Sequence, residues 1–220
     1  MSLRALTLAL TLFWVVNVHA ADPFAHPATA EALLGSTLAR PAAALSKAQV
    51  LKGRFTHRKH LRELPQPLLA NGEFTFAREL GVYWHTLQPF DSVVVLTAEG
   101  ITQRDEGAET MRLSAKEQPA VRVIADVFLA LFTLDVTRLN ASFDLYGMSQ
   151  GERWIVGLRP RSAAMASAFK EATITGGKDV EQIVLIDAQG DRTLIDLADI
   201  EYSTAAPDAG VRALFGMPQS

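Results

Sequence analysis

The chain is predicted to be mainly β, an antiparallel sheet curved strongly enough to wrap towards a barrel, with a few helices filling or covering its concave side. Three observations predict it. From Gly53 onward apolar residues recur with a period of two in about ten short stretches. Glycine, proline and aspartate punctuate those stretches. Only Pro119 to Leu134 then has the length and uninterrupted apolar character of a substantial helix.

The first residues read as a targeting segment. They carry one positive charge, Arg4, an uncharged apolar run from Ala5 to Val16, and Val18-His19-Ala20 as a small-x-small cleavage site. Residues 1–20 are therefore expected to be a secretory signal peptide; as an uncleaved anchor the run falls short of the ~20 residues a span requires. The mature chain would begin at Ala21 and form one domain over 21–220, leaving 200 of the 220 residues. Without Arg4 its 20 basic and 24 acidic residues give a formal charge of −4, which favours neither nucleic acid nor an anionic membrane surface. The absence of cysteine excludes disulfides, thiolate nucleophiles, cysteine-ligated metals and lipidation of the mature chain itself.

Residues 21–28, with two prolines, read as a short leader. A helix is predicted from Thr29 or Glu31 to Leu38, stopped by Pro41, and a second from Ala42 to Leu51. The strands expected next are Arg54 to Leu61, then, past Pro65 and Pro67, three in Gly72 to Leu96, then Ile101 to Arg104 and Met111 to Leu113. Proline in the first turn opens the helix of 119–134, where Arg122 and Asp126 form a narrow polar stripe on an otherwise apolar surface. A helix apolar nearly all round needs contact on both sides, as a plain core helix or as a cover. Later strands are expected at 142–146, 153–158, 172–175, 180–187, 192–197 and 200–202, with a short helical insertion at 161–170.

Enzyme signatures are missing. The sequence has no G-x-S-x-G elbow, H-E-x-x-H, phosphate loop or dinucleotide fingerprint. His57 and His60, three apart on a strand, point to opposite faces, and His85 alternates away from Trp84. Asp187 and Asp191 flank a hairpin loop that lacks the ligand series of a calcium site. Ser36 and Ser46 have no base or oxyanion partner in the sequence. No catalytic residue, metal or cofactor is expected.

The segment GEFTFARELGVYWHTLQPFDSVVVL, Gly72 to Leu96, is the most specific in the chain. Alternation puts Gly72, Phe74, Phe76 and Arg78 on one face, so a single guanidinium stands beside two phenylalanines. Its G-x-F-x-x-x-R…W…Q-P…S-h-h-V pattern, h being apolar, resembles the LolA family of periplasmic carriers of outer-membrane lipoproteins. The resemblance extends more weakly over about Ala30 to Tyr202. Glu79 stands where the carriers usually have proline, and the segment beyond Tyr202 is shorter than theirs.

The resemblance implies an open, incompletely closed antiparallel β-barrel with a helical lid. The lid would be the helix of 119–134, through Val121, Ile124, Val127, Phe128, Leu131 and Phe132. An acyl-chain cavity would be lined by Phe55, Phe74, Phe76, Trp84, Val94, Leu96, Phe143, Trp154 and Val156; alternating aromatics of this kind are otherwise simply core. Arg78 matches the family's latch arginine, which bonds lid and loop carbonyls; a rim salt bridge to Glu79 or Asp91 is the alternative. The implied protein is a monomeric periplasmic carrier without stable membrane insertion, taking an acylated cargo, a lipoprotein or a glycolipid-like molecule, from an inner-membrane donor transporter to an outer-membrane acceptor. Divergent relatives suit other lipid-linked cargo, the direction in which Glu79 and the short tail lean. A lipid-sensing envelope regulator built on the same half-barrel is the second reading, and an enzyme acting on acyl chains the third.

Overall fold

The computed structural model describes residues 22–167 and 169–217, with the side chains of all of these except 119, 120, 122–126 and 164. The predicted signal peptide, 1–20, lies outside the described residues. A 3-10 turn at Pro23–Ala25 and the short strand β1 (Pro27–Ala28) precede α1 (Ala30–Gly35) and α2 (Ala39–Leu45). Then come β2 (Val50–His60), β3 (Leu68–Ala77), β4 (Gly81–Gln88), β5 (Ser92–Thr97), β6 (Gly100–Asp105) and β7 (Ala108–Ser114). Helices α3 (Pro119–Thr133) and α4 (Val136–Asn140) lead to β8 (Phe143–Gln150) and β9 (Arg153–Pro160). After α5 (Ala163–Ala166), β10 (Phe169–Gly176), β11 (Val180–Asp187) and β12 (Arg192–Ser203) complete the strands, and α6 (Ala209–Leu214) follows.

All these strands join one antiparallel sheet in the order β1-β8-β9-β10-β11-β12-β2-β3-β4-β5-β6-β7. Two meanders meet where β12 pairs with β2, and the edge strands β1 and β7 do not pair with each other, so the sheet stays open. Ion pairs from Arg54 to Asp199 and from Arg58 to Asp196 also span that central junction, from β2 to β12. The concave side carries one continuous core that takes in Leu33, Leu38 and Leu45 of the N-terminal helical region and Val121, Leu131 and Phe132 of α3. On the other side, Val50 and Ala77 pack with Val211 and Phe215, so α6 covers the convex face.

The sequence reading and the chain differ at several places. Pro41 does not stop a helix but sits in the first turn of α2, where its missing N–H would have had no intrahelical partner. The second helix ends at Leu45, and Val50 and Leu51 already belong to β2. The leader, for which the sequence gives no partner, docks on the sheet: Phe24 meets Tyr146 edge-on at 5.2 Å and lies 4.3 Å beneath the Arg159 guanidinium. Gly157 permits this, because a Cβ there would stand 2.8 Å from the Phe24 ring. The strands expected at 192–197 and 200–202 are one strand, β12, with a register shift between Ala198 and Glu201. The insertion at 161–170 is helical only over α5.

Candidate functional site

The concave face is built from paired aromatic and glycine positions. Gly53 lies opposite Phe74, and Phe55 opposite Gly72, across β2 and β3. A Cβ on Gly53 would come 2.8 Å from the Phe74 ring, so that glycine makes room for the ring facing it; one on Gly72 would come 1.9 Å from the His85 carbonyl oxygen and 2.9 Å from the Phe55 ring, so Gly72 admits the close approach of β4 as well as the ring. Trp84 of β4, opposite Phe74, then stacks on Phe55 with centroids 3.8 Å apart. Full burial of each phenylalanine is worth roughly 1.5–3 kcal/mol, which makes this stripe a main anchor of the sheet.

Helix α3 lies over the stripe. Phe132 reaches down to Phe74 at 5.2 Å and stacks on Phe76 at 5.8 Å with planes 13° apart. The helix stops at Leu134, whose left-handed backbone (φ 48°) is unusual for a residue other than glycine. Its side chain is buried in the core, and its N–H returns to the carbonyls of Ala130 and Leu131. Asp135 then caps α4 through the N–H of Arg138.

Between α3 and the sheet is a narrow apolar space with a cavity volume of about 30 Å³, room for a water or two. Phe74 and Trp84 border it from β3 and β4, Phe128, Leu131 and Phe132 from α3, and Leu45 and Leu51 from α2 and β2. The far wall comes from Asp179, Val180 and Ile183 before and in β11, and from Ile195, Leu197, Ile200 and Tyr202 of β12. The register shift in β12 explains that set. Strict alternation after Ile195 and Leu197 would turn Asp199 and Glu201 inward, whereas the bulge, with Asp199 at φ 52°, brings Ile200 and Tyr202 to the wall.

The wall carries two polar groups. Oδ1 of Asp179 and the hydroxyl of Tyr202 are both enclosed and have no hydrogen-bond partner among the described residues. Burial pushes the Asp179 carboxyl above the usual range, Lys178 opposing and Glu181 adding to the shift.

Arg78 lies just beyond β3. Its Nε donates to the carbonyl of Ala48 at 2.9 Å and its Nη2 to that of Leu45 at 2.7 Å, while its backbone N–H donates to Gln49 at 2.9 Å. These acceptors are the last residue of α2 and the turn into β2, not α3. Among the described residues no carboxylate pairs with Arg78, and Asp91 instead stands 2.9 Å from His85 Nε2, so the rim salt bridge is not formed.

Of the expected cavity residues, Phe74 and Trp84 border the space. Phe55, Phe76, Val94, Leu96, Phe143, Trp154 and Val156 belong to the same core without bordering it in this conformation. Trp84 covers Phe55, Phe132 covers Phe76, and Phe169 lies 5.8 Å from Phe143. The Trp154 indole donates to the Gly177 carbonyl at 2.7 Å beneath the β10–β11 turn. Val94 and Leu96 lie farther along the sheet, on β5 between β4 and β6. Of the expected α3 residues, Val121 is buried and Val127 half-buried, and the Ile124 side chain lies outside the described residues. Alternation in β11 and β12 is the signal in the sequence that points to the far wall.

The residues weighed for catalysis have other duties. The hydroxyls of Ser36 and Ser46 donate to Ala32 and Ala43 at 2.6 and 2.9 Å. Asp187 accepts from the N–H groups of Gln189 and Asp191 at 3.0 and 2.8 Å and so closes its own hairpin. His57 is half-buried, and burial first, then Lys59, lowers its pKa. Among the described residues no three histidine, aspartate or glutamate side chains gather around a point that could hold a metal, and no helix is long and apolar enough to cross a membrane.

Comparison with known proteins adds to this geometry. The family described as outer membrane lipoprotein carrier protein LolA matches residues 46–210. The outer-membrane lipoprotein carrier protein of Pseudomonas entomophila (strain L48) is 28% identical over 171 residues, covering 77% of this chain and 80% of that one. Its counterpart in Pseudomonas putida (strain GB-1) is 26% identical over 166 residues, covering 75% and 77%. Among solved structures, LolA superfamily protein NE2245 from Nitrosomonas europaea overlaps 76% of this chain and 95% of its own, with a TM-score of 0.42 and 9% identity.

Proposed function

Because the chain belongs to the LolA family of outer membrane lipoprotein carriers, we propose that it is a periplasmic carrier, one domain over 21–220 behind a cleaved signal peptide of 1–20, that shelters the acyl chains of a lipid-linked cargo beneath α3. The observation that carries this reading is the apolar space between α3 and the concave face, lined on three sides by Phe74, Trp84, Phe132, Ile183 and their neighbours. Each buried methylene is worth about 0.8 kcal/mol, so a long chain crossing water unprotected costs on the order of 10 kcal/mol. An apolar cavity removes that barrier. The space is too narrow as it stands, so loading requires α3 to move away from Phe74 and Phe76.

Nothing in the reading requires the protein to supply energy. A donor at the inner membrane and an acceptor at the outer membrane would set the direction by binding open and closed states unequally. The cargo is a lipoprotein or a related acylated molecule, and no catalytic step on it is proposed. The test is to isolate the protein from the osmotic-shock fraction and weigh it under native conditions. A stoichiometric acylated adduct, together with uptake of a fluorescent fatty-acyl probe, is the expected result. Protein free of adduct that also fails to take up the probe would overturn the reading.

A further inference from the structure

The Asp179 and Tyr202 oxygens are the feature of this wall that shelter for acyl chains alone does not explain. Buried polar atoms are nearly always paired, and an unpaired one weakens the folded state. Here two stand in the wall of one otherwise apolar space. The neighbouring hairpin shows the usual arrangement: Asp187 of the β11–β12 turn spends its carboxylate on the backbone N–H groups of Gln189 and Asp191. The β10–β11 turn closes differently. Its Gly177 N–H bonds the backbone carbonyl of Asp179 at 3.1 Å, and its Gly177 carbonyl is taken by Trp154. The turn is therefore complete without the Asp179 side chain. Nor does the adjacent lysine neutralise it: Lys178 Nζ stands 5.7 Å above the Tyr202 ring, and no ion pair joins it to Asp179 among the described residues.

Tyr202 reaches the wall because β12 is bulged, and Asp179 because the turn into β11 is tight. The two oxygens thus come from the β10–β11 turn and from β12 and offer different chemistry, a carboxylate that accepts and a phenol that donates. A ligand that carries both a donor and an acceptor satisfies both. An ester offers only the acceptor; a free carboxylate would meet Asp179 with like charge.

We propose that the wall formed by Asp179 and Tyr202 is a subsite for the polar linkage of the cargo, binding a secondary amide whose N–H donates to Asp179 Oδ1 and whose carbonyl accepts from the Tyr202 hydroxyl. The proposal rests on the carrier reading above and deepens it: the protein prefers amide-linked acyl chains over ester-linked ones.

The test uses two probes of equal length, N-methylhexadecanamide and methyl hexadecanoate, each displacing a fluorescent fatty-acyl probe from the full protein. The wild type should bind the amide about tenfold more tightly, a ratio equivalent to about 1.4 kcal/mol. Asp179→Leu should bring the amide down to the affinity of the ester and leave the ester unchanged. Tyr202→Phe should weaken both probes several-fold and keep the preference, with a melting temperature no lower than wild type, since it removes an unpartnered hydroxyl. Should Asp179→Leu be recovered unfolded, Asp179→Ala is read in its place. Equal binding of both probes by the wild type, or a preference that survives loss of the carboxylate, overturns the subsite and leaves the carrier reading standing. If neither the fluorescent probe nor its competitors bind, the carrier reading fails and the subsite with it.

Discussion

Nη2 of Arg78 lies 2.7 Å from the main-chain oxygen of Leu45, and the Leu45 side chain, 2% exposed, forms part of the wall beneath α3. The arginine is thus one bond away from the space it was expected to guard. It acts on the end of α2, where unpaired carbonyls at a helix C-terminus favour a cation. Arg78→Leu loses the bonds to Leu45 and Ala48. Charge-assisted bonds are worth roughly 1.5–3 kcal/mol each, and this guanidinium is only partly buried, so a loss of about 2 kcal/mol is expected. For a chain of this size that lowers the melting temperature by roughly 4–8 °C. Lysine should recover part of the loss, because it supplies charge without the planar fork. Glu79→Gln should change little. A shift for Glu79→Gln as large as for Arg78→Leu in thermal unfolding would contradict the carbonyl-bonded arrangement.

Phe74 and Phe76 are each 1% exposed. Aspartate at either site would bury an unpaired carboxylate among rings, a cost of several kcal/mol that the fold cannot absorb. Phe74→Asp should therefore fail to fold rather than yield a folded protein without binding. Ile195, half-buried at the edge of the same space, is the site at which a charge can be tolerated. Ile195→Asp should remain folded by far-ultraviolet circular dichroism and lose uptake of a fluorescent fatty-acyl probe. Undiminished uptake would place the binding surface elsewhere.

Much of this arrangement is legible in the sequence, and the parts that are not share a physical reason. Alternation finds Phe74, Phe76 and Trp84 because local pleating alone decides their face. The gap between the strands expected at 192–197 and 200–202 falls where β12 bulges. Period-two reading detects that the alternation breaks there, but not that one continuous strand re-aims Tyr202. The partners of Arg78 are carbonyls about thirty residues away in the chain, and main-chain acceptors leave no residue-type signature. The edge between lining and plain core depends on how α3 settles: Phe76 lies under Phe132 while Phe74 also borders the space, although both have the same pattern. Short capped helices such as α4, with Asp135 supplying the cap, lack the length for a periodic signal.

Asp105 sets a pH dependence for the far edge of the sheet. Its carboxylate accepts from Gln103, from Ser92 at 2.6 Å and from Thr110 at 2.7 Å, and these bonds hold its pKa below the ordinary 3.8. A folded-state value below the unfolded one gives stability that is fully present above the unfolded pKa and is lost as pH falls through the folded one. Thermal unfolding of the wild type and of Asp105→Asn should therefore differ most near neutral pH, and the two curves should converge as pH falls below about 3.8. A difference that stays constant across that range would mean that the bonds do not distinguish the ionised form.

Phe132 borders the space beneath α3 and reaches across to the sheet, lying 5.2 Å from Phe74 and 5.8 Å from Phe76 by ring centroid. Removing it should separate stability from binding. The ring is 7% exposed, so Phe132→Ala forfeits most of its burial and leaves a void; such changes cost about 3–5 kcal/mol. The site borders existing space, so the lower end of that range is expected, with a fall of roughly 6–12 °C in melting temperature. The void is apolar and continuous with the wall of Leu131 and Ile183. A fluorescent fatty-acyl probe should then load faster and bind more tightly than in the wild type, because α3 no longer has to withdraw a ring from the chain's path. Phe143→Ala, which removes a ring of equal size that packs on Phe169 away from that space, should lower stability comparably without improving uptake. Equal probe kinetics for the two variants would show that Phe132 is structural filling and that α3 does not gate the space; faster loading in Phe132→Ala alone identifies the ring as the gate.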